Sequence, residues 1–242
     1  MMMNITILVR KDVSINPNVD YTSPSAEFTF DVNKSTLFKK DARNYINILG
    51  VEQLNTLKNT SLLDIFLSKD NVIEPHYHQN AAELVYCISG AATVSLLNPF
   101  TKKLQNYPIK PGQVANIPQG WWHYEVATED NTHLLAIFDA PTPEVILGSD
   151  ILKFTPANIM AHTYCLDEEQ WKKTIAPIVP STYIGPPKGC NRVESATDNS
   201  SCKHKKPSMK PCPYPNPYPY PYPYPYPYHY PSPHMYPYGT YY

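Results

Sequence analysis

Three histidines and one glutamate in the middle of the chain have the spacing of metal ligands. His76 and His78 are separated by one residue, so on a β-strand both imidazoles leave the same face. Glu83 follows five residues later, and His123 comes just after a Pro-x-Gly turn. Because a small barrel can bring side chains from distant strands to one interior point, the spacing predicts a metal site with three imidazoles and one carboxylate.

A structural explanation of these residues has to be weighed first. A buried histidine is more often a core residue with its hydrogen bonds satisfied than a ligand, and a lone His-x-His pair is a weak signal. The full pattern is more specific, because the ligand residues recur with turn residues at fixed offsets between strand-like runs. Its members are His76, His78, Glu83, Gly90, Gly112, Pro118, Gly120 and His123. The complete set favours the metal site.

These positions resemble the two sequence motifs of the cupin superfamily. The first motif, H-x-H-x4-E-x6-G, is met in full from His76 to Gly90, and the second, G-x5-P-x-G-x2-H, from Gly112 to His123. Two flanking positions depart from the usual pattern: Asp70 replaces a glycine, and Ala127 replaces an asparagine. Neither is a ligand position. The resemblance implies an all-β fold, a single cupin barrel of the double-stranded β-helix or jelly-roll type.

The hydrophobic pattern independently indicates an all-β sandwich or barrel. Phe28 and Phe30 alternate with polar neighbours and are expected to begin the regular part of the chain. Short strand-like runs punctuated by turn residues then recur as far as Phe138. The predicted strands are Asn44–Leu49, Ser61–Leu67, Val72–His76, Leu84–Ser89, Ala92–Leu97, Gln105–Ile109, Val114–Ile117, His123–Ala127 and His133–Phe138.

A short helical hairpin is predicted after the last of these strands. Thr155 and Pro156 are typical of an N-cap followed by the first residue of a helix. Asp167–Lys173 is acidic at its start and basic at its end, as the helix dipole favours. The predicted organisation is an N-terminal arm (1–25), with one edge strand at Ile5–Val9, and a cupin barrel with its hairpin (26–178). A flexible linker (179–212) and a disordered Pro-Tyr repeat tail (213–242) follow, since proline at alternate positions removes backbone donors.

Composition and charge limit the binding partners and the cellular locations that can be expected for this protein. A net charge of -1 gives no basic surface for nucleic acid, and no apolar run is long enough to span a membrane. The N-terminus lacks the features of a signal peptide, so the expected location is the cytoplasm or, judged by the tail, a bacterial spore coat or surface. Five cysteines, an odd number, do not form a disulfide framework, and Cys87 reads as an inert core thiol. Cys190, Cys202 and Cys212 lie in polar segments where oxidation or cross-linking is chemically feasible.

From about Phe28 to Trp171 the chain resembles one half of a bicupin oxalate decarboxylase and, more loosely, a germin. That resemblance implies Mn(II), with coordination positions left for substrate and for dioxygen or water. Fe(II), Zn(II), Ni(II) and Cu(II) are alternatives, because the geometry of the site and the supply of metal decide which ion binds. The resemblance also implies an arginine three residues before the first histidine, where this chain has Ile73. By the same resemblance, Glu144 is the candidate general acid/base of a closing loop; the alternative is a solvated loop carboxylate.

Two functions follow as expectations. The first is a metal-dependent enzyme that decarboxylates or oxidises a small carboxylate or similar substrate. The second is a structural or assembly protein that uses the cupin as a rigid cassette, since the tail resembles those of bacterial spore coat or surface proteins, where it would bind or cross-link to partners. The resemblance to cupins also implies a homo-oligomer. Of Trp121 and Trp122, one is expected in the core and the other at the pocket mouth.

Overall fold

The computed structural model describes residues 19–190. In this part of the chain, strands alternate with turns up to residue 138 and helices follow. The strands are β1 Thr36–Lys39, β2 Tyr45–Leu49, β3 Ser61–Leu67, β4 Val72–Tyr77, β5 Glu83–Ser89, β6 Ala92–Asn98, β7 Lys103–Ile109, β8 Val114–Ile117, β9 His123–Ala127, β10 Thr132–Phe138, β11 Ile146–Leu147 and β12 Ile184–Gly185. The helices are α1 Gly148–Phe154, α2 Ala157–Tyr164 and α3 Glu168–Ile175.

Two antiparallel sheets form the barrel. The first has the strand order β1-β2-β3-β10-β5-β8, and the second has the order β11-β4-β9-β6-β7 with β12 paired to β4. Alternate residues of β5, β8 and β10 face the space between the sheets. In β10, Leu134, Ala136 and Phe138 are buried and their neighbours are partly exposed. The predicted all-β fold of jelly-roll type is confirmed.

Gly90, the glycine of the first cupin motif, follows β5 directly and lies against Thr132 at the start of β10, the neighbouring strand of the same sheet. Its φ of +67° is in the left-handed region that favours glycine. A Cβ atom here would lie 2.6 Å from the Cα atom of Thr132. The motif therefore requires glycine at this position for both conformation and space.

Strand prediction from the sequence is accurate, and the helical region is predicted less well. Each of the nine predicted strands is present, with ends that agree to within two residues. Phe28 and Phe30, expected to begin the regular part, lie outside any strand and are exposed. Strand β1 was not predicted, because it is a mostly exposed edge strand without an alternating hydrophobic pattern. Helix α1 was not predicted; its first turn is stabilised by a tertiary contact, the hydrogen bond from the Ser149 N–H to the carboxylate of Glu74.

The cap assignment for the first predicted helix is wrong by one residue. Pro156 is the N-cap of α2, and Thr155 ends α1, where its hydroxyl donates to the carbonyl of Ile151. The second helix begins as predicted, because the Asp167 carboxylate accepts from the N–H of Gln170.

Residues 179–185, which we call the closing segment, continue the fold past the predicted end of the barrel at residue 178. Strand β12 in this segment pairs with β4, and Ile184 is buried in the core. The buried Glu74 carboxylate accepts hydrogen bonds from the N–H of Tyr183 and from both the N–H and the hydroxyl of Ser149. One glutamate on β4 therefore attaches both α1 and the closing segment to the barrel.

Several predictions concern residues outside the described range. These are the edge strand at residues 5–9, the linker beyond residue 190, the Pro-Tyr tail at residues 213–242, and Cys202 and Cys212. Within the range, Cys87 is buried, burial raises the pKa of its thiol, and Cys190 is exposed. No helix among residues 19–190 has the length and hydrophobicity needed to cross a membrane.

Candidate metal centre

Three of the four predicted ligands lie on strands, and the fourth lies just after the end of a strand. His76 lies on β4, directly opposite His123, the first residue of β9. His78 follows the last residue of β4, and Glu83 begins β5 in the facing sheet. The period of two along β4 places His76 and His78 on the barrel interior, while the intervening Tyr77 contacts Trp122. The fold thus brings together all four residues that the spacing singled out.

The donor atoms of these four side chains converge. One potential donor atom from each residue lies within 4.8 Å of the others, and all four residues are buried. The Glu83 Oε2 atom lies 2.9 Å from His123 Nε2 and 3.3 Å from His78 Nε2. Three imidazoles and a carboxylate around one point form a donor set that suits a divalent first-row metal ion.

Backbone carbonyls fix the orientation of each imidazole. The Nδ1 atoms of His76, His78 and His123 lie 2.6, 2.7 and 2.8 Å from the carbonyl oxygens of Glu74, Glu144 and Trp121, respectively. Because a carbonyl only accepts, each Nδ1 carries the proton, and in the neutral imidazole each Nε2 keeps its lone pair. Metal-binding histidines in proteins are held in this way, so the residues present fit a metal ion.

The ionisation of the cluster also agrees with a cation site. Burial and the neighbouring His123 hold the pKa of His76 well below its usual value. Burial disfavours the charged forms of Glu83 and His123 as well, but their mutual hydrogen bond outweighs it. That bond and a hydrogen bond from His78 lower the pKa of Glu83. The same bond to Glu83, together with the negative charge of Glu125, raises the pKa of His123 to about 9. A protonated His123 stabilises Glu83 in the metal-free protein, and a metal ion would replace that proton.

A cavity of about 260 Å³ opens from the cluster towards solvent. Its inner wall is aliphatic, and Ile73 lies on it. Pro143, Glu144 and Val145 lie at the rim, together with Tyr183 of the closing segment. The aliphatic lining residues are Leu37, Ile46, Ile48, Leu63, Ile65, Ile73, Val145 and Leu147. A space of this size next to the histidines can hold a small organic molecule.

Glu144 lines this cavity and also supports the histidine cluster. Its carbonyl oxygen accepts from His78 Nδ1, its N–H donates to Asn80, and its carboxylate accepts from Gln79 Nε2 at 2.8 Å. The position at the rim agrees with the predicted loop. The role of Glu144 as a general acid/base stays a prediction.

Glu125 is an interior residue that the sequence reasoning missed. It lies on β9 two residues after His123, so the strand period that places His123 in the barrel also places Glu125 there. The side chain is buried and lines the cavity, and neither carboxylate oxygen is hydrogen-bonded within the part of the chain that the structure describes. Burial and the neighbouring Glu83 raise the pKa of Glu125 to about 8. The signal in the sequence was the pair His-x-Glu at the start of β9.

The two tryptophans before His123 have different environments. Trp121 packs against the hydrophobic core and contacts the ring of Phe100. Trp122 lies on the outside of the barrel, where it packs against Tyr77 and Gly148 and lines a groove beside α1. The expectation of one core tryptophan is confirmed, but the second lines an outer groove and not the cavity at the histidines.

Solved structures with the same fold include oxalate decarboxylase from Bacillus subtilis and the coconut allergen cocosin. The decarboxylase superposes with a TM-score of 0.57 at 21% sequence identity, covering 66% of this chain and 43% of the decarboxylase. For cocosin the TM-score is 0.57 and the identity 20%, covering 65% of this chain and 42% of cocosin. At these identities the likeness shows the fold alone.

Relatives by sequence include plant proteins. Glutelin type-B 2 of Oryza sativa subsp. japonica is 21% identical over 160 residues, which are 65% of this chain and 31% of the glutelin. Glycinin G3 of Glycine max is 24% identical over 129 residues, which are 52% of this chain and 27% of the glycinin. The chain therefore spans less than a third of the length of these relatives.

The family model described as Cupin matches residues 33–172, more than half of the chain. That range contains both motifs, all four converging side chains and the strands that carry them. On this match and the jelly-roll topology, the chain belongs to the cupin family.

Proposed function

We propose that this cupin is a metal-dependent enzyme that decarboxylates or oxidises a small carboxylate or a similar small molecule. His76, His78, Glu83 and His123 are the proposed ligands. The observation that carries the proposal is the set of three hydrogen bonds from Nδ1 to backbone carbonyls, which leaves three Nε2 lone pairs and one carboxylate directed at a single buried point. An ordinary buried histidine needs no such arrangement.

Mn(II) is the ion we propose first, because the oxalate decarboxylase and germin families that the chain resembles imply it. Mixed imidazole and carboxylate ligands also suit Fe(II), Zn(II), Ni(II) and Cu(II), so metal identity depends on geometry and supply. A bound divalent ion would supply Lewis-acid or redox chemistry to a substrate in the cavity. The protein supplies a closed interior, fixed ligand orientations and a carboxylate at the rim.

Oxalate itself fits this cavity poorly. The decarboxylase resemblance implies an arginine at the position of Ile73, and an aliphatic side chain neither pairs with a carboxylate nor donates a hydrogen bond. Ile73 is buried and lines the cavity. We therefore propose a substrate other than oxalate, with Glu144 at the rim as the candidate general acid/base.

The experiment that tests this function combines metal analysis with an activity screen. Full-length protein loaded with Mn(II) is incubated with a panel of small carboxylates, and carbon dioxide, formate and hydrogen peroxide are measured. We expect turnover of at least one member but not of oxalate, and none in His78→Ala or Glu83→Ala. A wild type that turns over oxalate contradicts the argument from Ile73. Activity that persists without bound metal contradicts the proposed enzyme.

A second candidate is a structural protein that assembles through the barrel. The helices carry exposed apolar side chains, including Ile151, Phe154, Ile159 and Tyr164, and the glutelin and glycinin relatives are not named for any reaction. In this case the chain forms a homo-oligomer, and its Pro-Tyr tail binds or is cross-linked to proteins of a bacterial spore coat or surface layer. Light scattering of the wild type and of Glu83→Ala separates the candidates: an oligomer that needs no metal, without turnover in the screen, favours assembly.

A further inference from the structure

Glu125 is a buried carboxylate that faces the cavity and accepts no hydrogen bond from residues 19–190. Its side chain is 2% exposed, and neither oxygen accepts a hydrogen bond from the residues that the structure describes. The Nε2 atom of His123 lies 3.8 Å from Glu125 Oε1, beyond hydrogen-bonding distance. A buried polar group is normally satisfied, so Glu125 is a candidate to receive a donor from a ligand.

The cavity lining carries several acidic side chains besides Glu125. The lining contains the carboxylates of Glu83, Glu125, Glu144 and Asp150, and no lysine or arginine is among its described residues. Glu83 faces the histidines, Glu144 accepts from Gln79, and Asp150 accepts from the N–H of Ser181. With a metal ion in place of the His123 proton, an anionic ligand would meet repulsion away from the ion, whereas a protonated amine would be attracted and would favour the ionised form of Glu125.

The remaining wall is aliphatic and the space is small. Ile46, Leu63, Ile65 and Ile73 line its inner part. The volume of about 260 Å³ lies below the roughly 300–1,000 Å³ of pockets for drug-sized ligands. A ligand that fills it therefore has a short apolar body.

Among the polar groups of the cavity, Glu125 lies close to the histidine cluster. Since Glu125 Oε1 is 3.8 Å from the Nε2 atom of a proposed metal ligand, a molecule that contacts both must carry its two polar groups on neighbouring atoms. An α-amino acid meets this condition, because its ammonium and carboxylate groups are attached to one carbon.

We propose that the cavity binds an aliphatic α-amino acid or a closely related amino carboxylate. Its ammonium group donates to Glu125, its carboxylate faces the three histidines, and its side chain packs on the isoleucines. This inference rests on the proposed function, because it names the substrate class of the same site. It makes Glu125 the residue that distinguishes amino acids from simple carboxylates.

The test compares two ligands that differ only by an amino group, leucine and 4-methylpentanoate. Isothermal titration calorimetry with full-length, Mn(II)-loaded protein measures the affinity for each. We expect leucine to bind at least about tenfold more tightly, because a charge-assisted hydrogen bond to a buried carboxylate is gained. In Glu125→Gln this preference should fall below about threefold with metal content unchanged, while Glu129→Gln, a change at an exposed glutamate, should retain it.

Three results overturn the inference. They are equal affinities of the wild type for the two ligands, no measurable binding of leucine, and loss of bound metal in Glu125→Gln, which would make Glu125 a ligand of the ion. If the wild type binds no metal, the proposed function is wrong whatever the role of Glu125. The role of Glu125 is then decided in the metal-free protein, where the preference for 3-methylbutylamine over 3-methylbutan-1-ol should be greater in the wild type than in Glu125→Gln; equal preferences in the two proteins overturn it.

Discussion

Replacing Glu83 by alanine should abolish most of the thermal stabilisation that Mn(II) gives to the protein. Glu83 is the only carboxylate in the four-residue cluster, and its Oε2 atom faces two histidine Nε2 atoms at 2.9 and 3.3 Å. Metal at 100 times its dissociation constant stabilises the folded state by about 2.7 kcal/mol. For a domain of this size, that corresponds to a rise in Tm of roughly 5–11 °C.

The variant should show only a small part of that rise. Loss of a residue that merely orients a metal ligand costs about 10–100-fold in affinity, so loss of the ligand itself should cost at least about 100-fold. At the same Mn(II) concentration the stabilisation then falls to about 0.4 kcal/mol, a shift of about 1–2 °C.

Differential scanning fluorimetry of full-length protein measures this effect, with each variant compared with its own metal-free baseline after treatment with chelator. Glu129→Ala, which removes an exposed carboxylate, is the control and should retain the full shift. If Glu83→Ala keeps half of the wild-type shift or more, Glu83 does not hold the metal and the assignment of the cluster is wrong.

Three further substitutions test how the fold supports the site. Glu74→Ala should lower the free energy of unfolding by about 3 kcal/mol in urea and expose the closing segment to proteases, since three buried donors lose their acceptor. Phe138→Ala should cost about 3–5 kcal/mol and weaken Mn(II) binding in a chelator competition, because the Phe138 ring packs edge-on against His78 at 4.7 Å. Gly90→Ala should lower Tm by several degrees through strain at positive φ and a clash with Thr132; an unchanged Tm would refute that account.

The strands and the four converging side chains could be predicted because they depend on local periodicity and fixed spacing. A period of two assigns His76 and His78 to one face whatever the rest of the chain does. The motif glycines and proline specify the turns between strands. Since the jelly roll follows from many short alternating strands, fold and cluster were both available from the sequence.

The features that the sequence did not reveal depend on contacts between distant residues. Helix α1 and the closing segment are held by the Glu74 carboxylate, which bonds to residues more than 70 positions away along the chain. The Nδ1 hydrogen bond of His78 goes to the carbonyl of Glu144, 66 residues away. Glu125 had the right spacing to His123, but its lack of a partner could be recognised only once its neighbours were placed.

The most direct test of the metal centre is anomalous diffraction from crystals of the full-length protein loaded with Mn(II), with data collected on both sides of the manganese absorption edge. We expect one strong anomalous peak within coordination distance of the Nε2 atoms of His76, His78 and His123 and of a carboxylate oxygen of Glu83. A manganese peak elsewhere in the barrel, or no peak at these four residues in protein with a full complement of Mn(II), would contradict the assignment of this centre.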